Sequence, residues 1–159
     1  MKTFISLSAL FLSLSLTAQS NTATWYLNDS GLNGIQSPSS TASGWSSTAM
    51  GYQTEASGYT STATGRDTKA IGSYSTAMGY QTEASGEVST AMGNGSVASG
   101  NNSTAMGFGT EASGAFSTAA GINTIASGYA STAMGGYTRA SGIYSTSIGL
   151  NSMASGEVS

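Results

Sequence analysis
From Ala42 to Met153 the chain repeats one unit of 14 residues eight times, with no insertion or deletion. The consensus is Ala-Ser-Gly-x-x-Ser-Thr-Ala-Met-Gly-x-x-Thr-x, and a ninth unit runs from Ala154 to Ser159. A strict period of this kind dictates identical coils stacked on one another, a rod with ladder surfaces rather than a pocket. Each unit also echoes itself at half its length, because Ala and Gly recur every seven residues. A helix with that repeat would need large apolar residues at its seam, and two glycines per unit would cost it roughly 2 kcal/mol. Collagen is excluded because Gly is not every third residue. What remains is an all-β solenoid with two short strands and two glycine turns per coil, the glycines supplying positive φ at the corners.

The first glycine column is Gly44, Gly58, Gly72, Gly86, Gly100, Gly114, Gly128, Gly142 and Gly156. The second is Gly51, Gly65, Gly79, Gly93, Gly107, Gly121, Gly135 and Gly149. Neither has an exception, as expected of a chain that turns at the same two corners in every coil. At about 4.8 Å per coil, eight coils make a rod of roughly 38 Å.

Strand alternation sorts the faces. A coil this short is thin, so only the small sets, Ser47/Ala49 and Thr54/Ala56, fit inside. Two outer faces follow. One carries Glu55, Lys69, Glu83, Val97, Glu111, Ile125, Arg139 and Met153, with no two acids adjacent, and reads as a solvated face with a few weak ion pairs. The other carries Met50, Thr64, Met78, Met92, Met106, Ala120, Met134 and Ile148 beside an unbroken column of Thr48, Thr62, Thr76, Thr90, Thr104, Thr118, Thr132 and Thr146. An apolar stripe along a whole rod implies a covering partner. Burying one Met is worth about 1.5–3 kcal/mol, more than an Ala/Ser core supplies per residue. The expectation is an obligate oligomer joined through the Thr/Met face.

Aromatic residues gather at the corners. Trp45, Tyr59, Tyr74, Phe116, Tyr129 and Tyr144 lie at one, and Tyr52, Tyr80, Phe108 and Tyr137 at the other. They read as stacking between coils or subunits, with a binding surface as the competing reading.

Residues 1–20 read as a secretory signal peptide: Lys2, an apolar run from Phe4 to Leu16, then Ala18 and Ser20 at cleavage-site spacing. Residues 21–41 read as a cap and linker, with Trp25-Tyr26-Leu27 closing the rod's end and 28–40 as a loop. Setting Lys2 aside, three basic and seven acidic residues give a net charge of −4. There is no basic patch, so nucleic acid is not an expected partner. The sequence contains no His and no Cys, which removes the Ser-His-Asp and Cys-His mechanisms and the usual zinc sites. Its acids are sparse, and the three on the charged ladder, Glu55, Glu83 and Glu111, lie two coils apart. No enzyme, cofactor or metal site is expected.

Ser-Thr-Ala-Met-Gly followed by x-x-Thr-x-Ala-Ser-Gly resembles the head repeat of YadA-like trimeric autotransporter adhesins, the Hep/Hag repeat, over residues 42–159. That family's core reads roughly Ser-Val-Ala-Ile-Gly-x-x-Ala-x-Ala. The resemblance implies a left-handed parallel β-roll of 14-residue coils, three chains side by side, on a bacterial surface or secreted. Its Val/Ile positions line the trimer interface and map onto Thr48, Met50 and their equivalents; Thr for Val makes that interface more polar. It implies a non-enzymatic adhesin head, with an extracellular matrix, cell-surface or abiotic ligand. The membrane would be reached only through an anchor domain outside this sequence, since the family's coiled-coil stalk and outer-membrane barrel are not in it. Two other functions compete: an ice-binding solenoid using the Thr ladder, and a passive spacer for another module.

Overall fold
A computed structural model describes the backbone of residues 26–27 and all of residues 34–159. The region read as a signal peptide lies outside the described residues. The chain winds into a parallel β-solenoid of about nine coils. Each coil contributes a five-residue strand, such as Thr48–Tyr52, and a two-residue strand, such as Glu55–Ala56. The longer strands build a ten-stranded sheet and the shorter ones a nine-stranded sheet. Both are parallel through the repeats, and every residue pairs with its equivalent one coil on: Thr48 with Thr62, Ala49 with Ala63, Glu55 with Lys69.

The core between the sheets is as thin as the sequence requires. It consists of the Ala49 and Ala56 columns, essentially inaccessible to water, with the Ser47 and Thr54 columns beside them. Larger side chains would not fit, so the bulk of each coil faces outward. Several inward hydroxyls return to backbone carbonyls, as Ser47 Oγ does to Gly44 O at 2.7 Å and Ser89 Oγ to Gly86 O at 2.7 Å. Others, among them Thr54, Thr82 and Thr124 Oγ1, are buried without a partner. A core made this way stabilises little per residue, so the inter-coil hydrogen-bond ladder carries much of the cohesion.

The glycine columns correct the sequence expectation. The first column does not adopt positive φ; that conformation falls to Ser46, Thr60, Tyr74, Val88 and their equivalents, at φ 51 to 59° in these four. From Thr60 onward each of these residues is held by its N–H, which donates to the preceding coil, as Thr60 does to Trp45 O at 2.7 Å. Gly44 and its equivalents are instead buried where coils touch: a Cβ on Gly44 would lie 2.0 Å from Gly58 O. The second column sits not at a turn but inside the longer strand, at φ 111 to 132°. There a Cβ on Gly51 would lie 1.8 Å from Gly65 O. Close backbone approach accounts for both columns, and positive φ adds to it only in the second.

The segment read as a loop before the repeats also differs. Ile35–Gln36 forms a strand parallel to Thr48–Ala49, and Tyr26–Leu27 pairs antiparallel with it. Thr41–Ala42 starts the second sheet. Ile35 lies one residue closer to Thr48 than the repeat period demands, which hides this coil from a search for strict periodicity. Ser37, Ser39 and Ser40 hydroxyls converge on Gly51 O at 2.8, 3.3 and 3.2 Å and tie this turn to the first full coil.

Candidate interaction surfaces
The residues assigned to a partner-covered face come together on one side of the ten-stranded sheet. Thr48, Thr62, Thr76, Thr90, Thr104, Thr118, Thr132 and Thr146 align in register, and so do Met50, Met78, Met92, Met106, Met134 and Ile148 two residues on. The Thr column is half-buried except at Thr146. In the single chain the Met column is half-buried at Met50 and Met92 and open to solvent at Met78, Met106, Met134 and Ile148, from 37 % at Met78 to 64 % at Ile148. Thr64 and Ala120 interrupt it with short side chains. No position in either column is charged.

The opposite face, outside the nine-stranded sheet, carries the charged ladder. The register places Lys69 between Glu55 and Glu83. Among the described residues, however, the one ion pair is at a corner, Arg66 Nε to Asp67 Oδ2 at 3.3 Å, well exposed and therefore weak. The same guanidinium lies 5.7 Å from the Tyr52 ring centroid and 5.5 Å from that of Tyr80, bridging three coils by cation–π contact.

At the other corner the aromatic residues stack edge to face: Tyr59 on Tyr74, Phe116 on Tyr129, and Tyr129 on Tyr144, at 5.4 to 5.7 Å between centroids. This supports the reading of these residues as stacking between coils. Their outer surfaces remain open, about half of each ring residue being accessible.

The structure adds a feature that the sequence reading did not assemble. Asn123, Tyr137 and Asn151 occupy one position in three successive coils, and Ile125, Arg139 and Met153 occupy the position two residues on. Together they line a groove of about 360 Å³. The strict period gave part of the signal, since it stacks Asn123, Tyr137 and Asn151 in one column and Ile125, Arg139 and Met153 in another; the left-handed backbone at the first column, which brings the two together, it did not show. Tyr137 had been grouped with the aromatic corner and Arg139 with the charged ladder.

Among the described residues no three His, Cys, Asp or Glu side chains are grouped to hold a metal ion, and no helix is long and apolar enough to cross a membrane. The fold and its ladder surfaces define a protein of the repeat-rod class, its outer side chains arrayed in columns along the faces. The chain belongs to the family of the YadA head domain repeat, which matches residues 42–68, 70–96, 89–110, 112–138 and 140–157. That repeat is a domain of adhesins, a non-enzymatic class. No curated protein matches the chain.

Proposed function
We propose that this chain is the head of a secreted or cell-surface adhesin that works as a homotrimer. In this reading the three rods lie side by side as left-handed rolls, with Thr48, Met50 and their equivalents buried between them. The observation that carries it is the contrast between the two outer faces. Eight coils bear no charge in the Thr and Met columns, whereas the opposite ladder carries Glu55, Lys69, Glu83, Glu111 and Arg139. A stripe of Met along the full length of a rod suits burial against copies of itself, at about 1.5–3 kcal/mol for each Met fully covered. Both the charged face and the aromatic corners would then point outward and be free to meet a matrix, a cell or an abiotic surface.

Residues 1–20 fit a secretory leader in this reading, and 21–41 fit a cap on the first coil. The test is the solution mass of the purified chain across a dilution series. A trimer that persists on dilution supports the interface. A well-folded monomer refutes it, and would leave the Thr ladder in water, where ice binding or a spacer role becomes the better account.

A further inference from the structure
The groove at the last coils combines an aromatic ring, a guanidinium and two amides. Its middle coil supplies Tyr137 and Arg139 on one side of the chain, and the coils before and after supply the amides of Asn123 and Asn151. Ile125 and Met153 flank Arg139 in the ladder, so its charge has apolar neighbours where Lys69 has Glu55 and Glu83. Arg139 makes no ion pair among the described residues. The nearest acid on its own ladder, Glu111, is two coils away, roughly 10 Å. The frame is pre-formed: Asn123, Tyr137 and Asn151 all have positive φ, and their N–H groups donate to Phe108, Ile122 and Gly136 carbonyls at 2.8, 2.8 and 2.9 Å.

We propose that this groove binds a saccharide carrying a single carboxylate. An unpaired guanidinium recognises a carboxylate with two parallel donors. The Tyr137 ring, 60 % exposed, offers an apolar face to a sugar ring, and two amides one coil to either side offer donors and acceptors to its hydroxyls. The volume suits one or two sugar units. Charge limits the ligand further. The rod is net acidic and this is a lone cation, so a polyanion such as nucleic acid or a densely sulfated chain meets repulsion along the rest of the surface. A neutral glycan ending in one acidic sugar does not. The groove runs from the corner at Asn123, Tyr137 and Asn151 onto the outside of the nine-stranded sheet, where Arg139 lies on the face opposite the Thr and Met columns. In a trimer three copies would be presented together, and weak single sites would add by avidity. The proposal names the ligand class for the adhesin reading and rests on that reading for its biological setting.

The experiment is saturation-transfer NMR on the full chain with sialyllactose, with lactose as the neutral control and N-acetylglycine as a single carboxylate without a sugar. Sialyllactose should bind, and lactose and N-acetylglycine should each bind about tenfold more weakly or worse. Arg139→Gln should remove the preference over lactose, Tyr137→Ala should weaken binding to both sugars, and Lys69→Gln should change nothing. Arg139 is exposed on a finished ladder, so the variant should fold, and an unchanged circular dichroism spectrum and solution mass check that. Equal binding of sialyllactose and lactose, equal binding of N-acetylglycine, or full binding by Arg139→Gln overturns the proposal. Retention of the wild-type chain on cells or matrix is read in parallel. Retention without sialyllactose binding sinks the groove and leaves the adhesin reading standing. Arg139-dependent sialyllactose binding without retention does the reverse.

Discussion

Replacing Gly86 by Ala isolates the close approach between coils from backbone strain. Gly86 has no positive φ, so Ala is conformationally acceptable there. The added Cβ would nevertheless lie 2.1 Å from Gly100 O, 2.6 Å from Gly100 C and 3.0 Å from Ser99 O, all backbone atoms with no rotamer to change. Restoring ordinary contact with the oxygen, at about 3.4 Å, requires the coils to part by about 1.3 Å at that corner. The bonds that cross there are Ser85 N to Ala98 O at 3.0 Å and Gly86 N to Ala98 O at 3.2 Å, with Asn102 N to Glu87 O at 2.8 Å beside them. Parting by that amount takes two or three of them beyond hydrogen-bonding distance. At about 1–3 kcal/mol for each group left unsatisfied, the expected loss is roughly 2–9 kcal/mol. Gly95→Ala is the control. It has φ 63° and nothing within 4 Å of the new Cβ, so it carries only the left-handed penalty of about 1–2 kcal/mol. Denaturant unfolding followed by circular dichroism measures both, and hydrogen exchange should place the Gly86→Ala loss at the coils on either side of the change. If Gly86→Ala costs no more than Gly95→Ala, close packing is not the reason for the first glycine column.

Four further substitutions probe other parts of the structure. Val88→Asn should stabilise by about 1 kcal/mol, since Val88 is a half-exposed β-branched residue at φ 55° and Asn tolerates that region; a raised denaturant midpoint checks it. Thr82→Val should be neutral or stabilising by about 1 kcal/mol because its buried hydroxyl has no partner, whereas Thr110→Val should cost about 1 kcal/mol through its 3.0 Å bond to Ser96; the same unfolding assay compares them. Met92→Lys, on the proposed interface, should shift the solution mass toward the monomer at a dilution where the wild type stays assembled, because a charge would enter an apolar seam; an unchanged mass would mean that Met92 is not covered.

The partition into two strands per coil was legible because alternation and period agree. Ser47, Ala49, Thr54 and Ala56 are small and buried, and the larger residues between them are outside. The backbone of the corners was not legible. The column of Ser46, Thr60, Tyr74, Val88, Asn102, Phe116 and Ala130 contains no residue type characteristic of positive φ except Asn102. From Thr60 onward its conformation is imposed by the ladder, each N–H being fixed to a carbonyl of the preceding coil, and tertiary bonding overrides local preference. The other corner shows the expected chemistry more openly, with Asp67, Gly95, Gly109, Asn123 and Asn151 at positive φ. The strand at Ile35–Gln36 was hidden for a simpler reason, its one-residue departure from the period.

The thinness of the core also decides how the outer faces should be read. Once only Ala, Ser and Thr fit inside, every long side chain is forced outward, so the outward position of Met50 or Met92 is by itself no sign of a partner. The informative comparison is between faces subject to the same constraint. On the nine-stranded side the free position has accepted Glu, Lys, Arg, Val, Ile and Met. On the ten-stranded side the equivalent position holds only Met, Thr, Ala and Ile, and its neighbour is Thr in every coil. Nothing in the coil's geometry forbids a charge there, because the Met side chains are at least as open as the half-buried Glu55 and Glu83 at several coils. A face that could carry charge and does not, over eight successive coils, is the pattern expected where charge would have to be buried against another chain.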